Sequence, residues 1–196
     1  MKVLVTGGAG FIGSHVVDQL IGAGHSVAVI DNLSTGVRGY VNPKAAFHEL
    51  SIGDTEVADV FAREKPDAVC HLAAQINVTE SVKDPAFDAM TNIIGTINLL
   101  EASVRTGVKR FIFSSTGGAI YGSPKRLPAT EDTVPEPLSP YATSKLATEE
   151  YIKMYCRTHP LAYVILRYSN VFGPRQVPHG ECGVCAVLTD LMLKGK

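Results

Sequence analysis

The chain has 196 residues, 45% of them hydrophobic, and its 18 basic and 19 acidic side chains leave a formal net charge of −1. That composition suits one globular domain with room for the start of a second, and the charge balance argues against nucleic acid or an anionic membrane as the main partner. The apolar run in MKVLVTGG stops too early for a signal peptide, and no uninterrupted apolar stretch approaches the roughly 18 residues of a membrane helix, so a reducing cytoplasm is the default location.

In chain order, Lys2–Thr6 reads as a strand, Phe11–Ala23 as a helix, and Ser26–Ile30 and Ala46–Ile52 as strands. Thr55–Glu64 follows as a helix, Ala68–Ala73 as a strand, and Pro85–Thr106 as a longer helix. Arg110–Ser115 is the next strand, Pro140–Thr158 a helix, Tyr163–Tyr168 a strand, and Val184–Lys194 a last helix. Several strands are continuous Val, Ile, Leu and Phe runs, as expected of strands buried on both faces. Within Pro85–Thr106, Phe87, Met90, Ile94, Ile97 and Leu100 make one apolar stripe, which should face the core. Alternating β and α segments imply right-handed crossovers and an α/β fold, a doubly wound parallel sheet of Rossmann type. Between strand and helix, residues 122–140 hold five prolines (124, 128, 135, 137 and 140) and little periodicity. A loop of that length is either functional or a passive surface excursion.

The first turn carries Gly7, Gly10 and Gly13, spaced GxxGxxG between a strand and a helix. One glycine makes the tight turn, one lets the backbone approach a pyrophosphate, and one lets helix pack on strand. The free N–H groups at the helix start then receive the phosphate charge, so a dinucleotide is the expected ligand. Asp31 closes the second strand. A carboxylate there accepts the ribose hydroxyls of NAD and repels a 2′-phosphate, and Asn32 and Leu33 follow with no adjacent arginine, so NAD is favoured over NADP.

Two further patterns are ambiguous by themselves. Cys182 and Cys185 form a CxxC, but no second pair and no spaced histidines complete a zinc site, so no metal is expected; Cys70 and Cys156 look like small buried hydrophobes. In "YATSK", Tyr141 and Lys145 lie four apart on a helical pattern, which brings their Cβ atoms to about 5–6 Å. That spacing suits an ordinary surface pair as well as a phenol activated by an ammonium.

With TGGAGFIGSH, DNLSTG, HLAAQ, FIFSSTGGAIYG, SPYATSK and RYSNVFGPRQ in one order, the chain resembles the extended short-chain dehydrogenase/reductase family, and within it the nucleotide-sugar epimerases of UDP-glucose 4-epimerase type. The resemblance implies that Tyr141 is the catalytic acid/base and Lys145 its activator. A free phenol has a pKa near 10, so a proton acceptor at neutral pH needs a shift of about three units, roughly 4 kcal/mol. A nearby ammonium and a positive nicotinamide ring both favour phenolate. Lys145 would also hold the nicotinamide ribose. Thr116 would hold the sugar hydroxyl against Tyr141, with Ser115 as the alternative, because Gly117-Gly118 leaves this segment one residue longer than in many relatives.

The implied activity is NAD-dependent epimerisation of a UDP-sugar at C4 through a 4-keto intermediate, with NAD regenerated in each cycle. Dehydratases that resemble this family carry acids after the catalytic threonine; here Thr116-Gly117-Gly118-Ala119 offers none. A related dehydratase or decarboxylase, or an NAD-binding module without turnover, are the alternatives. The implied cofactor contacts also take in Phe11 and Ile12, then Asn32, Ser34 and Gly36, then Leu72, Ala73 and Ala74, with Asn92, Ser114 and Tyr168. Asn170 would hydrogen-bond the substrate diphosphate. Ser51-Ile52 stands where relatives often have Asp-Ile at the adenine, so Ser51 would be a neutral partner, with an acid only at Asp54. Residues 1–172 would form the NAD-binding domain. Residues 173–196 would begin a substrate domain that family members continue well beyond this length, with Val184, Val187, Leu188, Leu191 and Met192 as an apolar face awaiting partners. A homodimer is one assembly the resemblance allows.

Overall fold

The computed structural model describes residues 1–177 and 184–195. Six strands, β1 (Lys2–Thr6), β2 (Ser26–Asp31), β3 (Ala46–Glu49), β4 (Ala68–His71), β5 (Arg110–Thr116) and β6 (Ala162–Tyr168), form one sheet in the order β3-β2-β1-β4-β5-β6. Every neighbouring pair is parallel, so the sheet is the doubly wound one expected. The strand order reverses between β1 and β4, which opens a crevice at the carboxyl ends of those two strands.

Side chains alternate across the sheet. Leu4, Ala28, Ile30, Val69, Phe111 and Phe113 point to one face, where α2 (Val57–Glu64), α5 (Gly95–Thr106) and α6 (Pro140–Thr158) cover them with Phe61, Leu99, Leu100 and Ile152. Val3, Val5, Val27 and Val29 point to the other, under Val17 of α1 (Phe11–Gly22). Continuous apolar runs are buried on both faces in β1 and β2. The edge strand β6 departs from that expectation: Tyr163, Val164 and Leu166 are exposed.

The helix expected over Pro85–Thr106 needs three corrections. A short helix, α3 (Val78–Lys83), precedes it, capped by Asn77, whose side chain accepts from the Glu80 N–H at 2.9 Å. Its sequence VTESVK has no apolar stripe, so periodicity could not find it. The long segment itself is α4 (Pro85–Ala89), a π turn at Met90–Ile94, and then α5. The apolar stripe turns away from the core over its first half, where Phe87, Met90 and Ile94 are 56%, 60% and 46% exposed and Asp88, Asn92 and Thr96 are buried instead; at its end Leu100 is buried in the core as expected. The inward face is polar there because it meets Ser144 and Thr148 of α6. A last helix, α7 (Val184–Leu193), has no buried residue, and Val184, Leu188 and Met192 of its apolar face stand exposed. Among the described residues, no helix is long and apolar enough to cross a membrane.

Candidate functional site

The residues singled out from the sequence gather along the carboxyl edge of the sheet. After β1 the chain turns through Gly7, whose φ of +71° and whose N–H, donating to the Ile30 carbonyl at 2.8 Å, suit glycine. A Cβ on Gly7 would lie 2.7 Å from the Ala73 nitrogen, and one on Gly13 only 2.0 Å from the Gly7 carbonyl oxygen, so both positions exclude any side chain. Gly10 caps α1 with no side-chain acceptor, and no acid stands in the first turn. The N–H groups at Phe11, Ile12 and Gly13 therefore begin a helix whose positive end is left for an external anion.

Asp31, 7% exposed, closes β2 and ties two turns together: one oxygen accepts from the Ala9 N–H and the other from the Leu33 N–H, both at 2.9 Å. Gly36 packs so close that a Cβ would sit 2.7 Å from an Asp31 oxygen. Asn32 donates to the Ser51 hydroxyl at 3.1 Å and accepts from the Ser34 N–H at 3.0 Å, which joins the ends of β2 and β3. The Asp54 carboxylate turns back to the Ser51 N–H at 2.7 Å, and Ile52 is buried against Gly95.

Leu72 and Ala73 leave β4 with both N–H groups on the Thr6 hydroxyl at 3.2 Å. That hydroxyl in turn meets His71 Nδ1 at 2.7 Å, His71 Nε2 meets the Thr96 hydroxyl at 2.9 Å, and Thr96 donates to the Asn92 carbonyl at 2.6 Å. A carbonyl only accepts, so the proton order runs back to fix His71 as the neutral ring protonated at Nε2. Burial, and then the Lys145 charge, push its pKa down to about 3. Asn92 itself commits its amide to the Gln75 backbone N–H and C=O, both at 2.9 Å, and to Asp88 at 3.0 Å, and so braces the loop that follows Ala74.

The catalytic candidates come from β5 and α6. Ser139 caps α6 by accepting the Ala142 N–H, and Pro140 fills the first helical position, which places Tyr141 in the first turn and Lys145 one turn later. Lys145 is 4% exposed; its Nζ donates to the Ser114 carbonyl at 2.9 Å and lies 4.7 Å from the Phe113 ring centroid and 6.0 Å from that of Tyr141. Burial brings its pKa down to about 8, while the Asp88 and Glu149 carboxylates pull the other way. The Tyr141 N–H meets the Ser81 hydroxyl of α3 at 3.2 Å.

Ser115 is accounted for elsewhere: its hydroxyl donates to the fully buried Glu149. Glu149 also accepts both prongs of Arg167, at 3.0 and 2.6 Å, and Arg167 reaches on to the Tyr121 hydroxyl at 2.9 Å. Thr116, the last residue of β5, is half-buried. A Cβ added to Gly118 would lie 3.9 Å from the Thr116 hydroxyl and 3.8 Å from the Asn170 side-chain oxygen, so those two groups converge on one space. A cavity of about 300 Å³ continues from it, walled by Gly117, Gly118, Tyr121, Arg167 and Asn170 together with residues 129–131 of the long loop. Tyr168 pairs with Thr116 across the sheet, and its carbonyl accepts the Gly117 N–H at 2.7 Å. Cys182 lies outside the described residues; Cys185 is an exposed free thiol. Sequence reasoning missed the buried acids Asp88 and Glu149; the i, i+4, i+8 row of Asp88, Asn92 and Thr96 was the signal available.

Residues 3–196 match the model of the NAD dependent epimerase/dehydratase family. A relative in Methanocaldococcus jannaschii, described as a putative UDP-glucose 4-epimerase, is 48% identical over 194 residues, 99% of this chain and 64% of that protein. Among solved structures, the UDP-glucose 4-epimerase of Thermotoga maritima with UDP-glucose superposes with a TM-score of 0.97 at 54% identity, covering 100% of this chain and 64% of the other. The UDP-glucose 4-epimerase of Thermus thermophilus in complex with NAD gives 0.95 at 50% identity, covering 100% and 63%. The chain thus spans 64% of the length of the curated relative it matches in Methanocaldococcus jannaschii.

Proposed function

This chain belongs to the NAD dependent epimerase/dehydratase family, and we propose that the complete protein interconverts UDP-glucose and UDP-galactose by epimerisation at C4. The observation that carries the reading is that Thr116 and Asn170 flank one space at Gly118, while the buried Lys145, 6.0 Å from the Tyr141 ring, is bound to the Ser114 carbonyl of the same strand, beside a glycine turn with no room for side chains. NAD fits the residues present: the Gly7 and Gly13 cradle, the start of α1 without a side-chain cap, and the Asp31 carboxylate at the end of β2. When bound, it supplies the hydride acceptor and donor. Tyr141 takes the proton of the sugar 4-hydroxyl at its phenolic oxygen and returns it to the other epimer. Lys145 holds positive charge near that oxygen, and Thr116 holds the sugar hydroxyl against Tyr141. Asn170 binds the diphosphate. Residues 173–196 open the substrate domain. The absence of an acid at Gly117 and Gly118 favours epimerisation over loss of water. Incubation of the complete protein with UDP-galactose, followed by chromatography of the nucleotide sugars, tests this; a preparation with bound NAD that forms no UDP-glucose overturns it.

Cofactor choice follows from Asp31. Its carboxylate is held by two backbone N–H groups, and the arginine of that turn, Arg38, stacks on the Phe47 ring 4.2 Å away. A 2′-phosphate would meet a negative charge and no fork to receive it. NAD⁺ is expected to bind at least about tenfold more tightly than NADP⁺, about 1.4 kcal/mol. Equal dissociation constants by calorimetry would contradict it, and Asp31→Ala narrows the gap.

The assembly is a dimer through α4, the π turn and α6. Phe87, Met90 and Ile94 stand exposed on the first two, and Tyr151 and Met154 on the neighbouring helix. A self-complementary apolar face suits a two-fold interface with a second copy. Sedimentation of the complete protein should give a dimer and that of Met90→Asp a monomer; a monomeric wild type rejects the assignment.

A further inference from the structure

Four charged side chains are enclosed around the amino-terminal half of α6: Lys145, Asp88 of α4, Glu149 of α6, and Arg167 of β6. Lys145 and both acids are 4% exposed or less. Buried charges persist when each has a counter-charge and hydrogen bonds. Glu149 has its counter-charge, because both of its oxygens take the Arg167 fork. Asp88 has only neutral hydrogen-bond partners among the described residues: Ser144 at 2.6 Å on one oxygen, and Gln75 and Asn92, both at 3.0 Å, on the other. No lysine or arginine lies within 4.0 Å of it among the described residues. The cation left over is Lys145, the residue after Ser144. Of the other groups around it, Glu149 also acts on its charge but is already held by the Arg167 fork, while His71 of β4 is neutral, Phe113 and Ser114 of β5 offer a ring and a carbonyl, and the Tyr141 ring lies 6.0 Å away.

We propose that Asp88 is the counter-charge of Lys145, a positioning residue that keeps this lysine cationic inside the protein and so keeps it able to acidify Tyr141. The inference rests on the function proposed above for its catalytic meaning, though the charge pairing itself does not. Ser144 is the strut: its hydroxyl holds the carboxylate beside the helix turn that carries Lys145. In a medium of low polarity two charges interact well beyond contact distance. Burial brings the Lys145 pKa down to about 8, and the Asp88 carboxylate, then that of Glu149, oppose the fall, in agreement with the pairing.

Asp88→Asn separates charge from shape. The asparagine oxygen can still accept from Gln75 and Asn92, and its amide can donate to the Ser144 hydroxyl, so all three contacts survive. With lysines labelled at Cε and Nζ, and Lys145 assigned by its loss in Lys145→Met, the Lys145 titration is expected to move down by about one unit or more in Asp88→Asn. In the complete protein the alkaline limb of turnover should move to lower pH with it. An unmoved Lys145 titration in a folded Asp88→Asn variant overturns the proposal, whether or not the protein proves to be an epimerase. If that variant does not fold, Asp88→Asn/Lys145→Met is decisive. A double variant that folds supports the pairing, whereas one that still fails to fold refutes it.

Discussion

Replacing Tyr141 by phenylalanine should lower UDP-sugar turnover by the complete protein at least about a hundredfold, within the range for loss of a general acid–base group. The substitution removes one oxygen and leaves the rest of the ring. The backbone N–H of Tyr141 still meets Ser81, Ser139 still caps α6, and Lys145 still donates to the Ser114 carbonyl. NAD binding and thermal stability are therefore expected to stay close to wild type, which separates a chemical loss from a structural one. The effect belongs in turnover rather than KM, because the phenol oxygen acts on a proton in flight and not on the bound nucleotide. A Tyr141→Phe protein that epimerises at near the wild-type rate would remove Tyr141 from the mechanism.

The sequence was most readable where one physical cause dominates. The parallel sheet follows from apolar runs alternating with helices, and the start of α6 from Ser139 and Pro140, which stop the chain from being helical any earlier. The glycine turn was readable because Gly7 and Gly13 are forced by contacts of 2.7 and 2.0 Å that nothing larger could accept. The face of Pro85–Thr106 was not readable, because periodicity assigns apolar residues to the inside. Here Asp88 and Asn92 point inward, and Phe87 and Met90 point out. Polar inward positions need partners, and those partners, Gln75 and Ser144, lie far off in sequence. The same limit left Ser115 open as a substrate contact until Glu149 was found to hold its hydroxyl.

The pair that holds Ser115 should also produce the largest loss of stability, and an asymmetric one. Glu149 is fully enclosed, whereas the Arg167 side chain is 17% exposed and has further acceptors in the Tyr121 hydroxyl and the Glu131 carbonyl. Arg167→Met leaves a buried carboxylate with the Ser115 hydroxyl, and with Lys153 no nearer than 3.9 Å. Breaking a buried pair in this way costs about 3–5 kcal/mol, because the remaining charge stays desolvated. Glu149→Gln should cost less: the amide can still accept from Arg167 and Ser115, and the guanidinium keeps Tyr121 and a route to water. The double variant Glu149→Gln/Arg167→Met should recover much of the loss of Arg167→Met alone, since no enclosed charge is then left unpaired. Urea midpoints for the three proteins measure these differences. If Arg167→Met proved no less stable than Glu149→Gln, the enclosed carboxylate would not be what makes Arg167 necessary, and its role would lie instead in anchoring Tyr121 and the long loop to the end of β5.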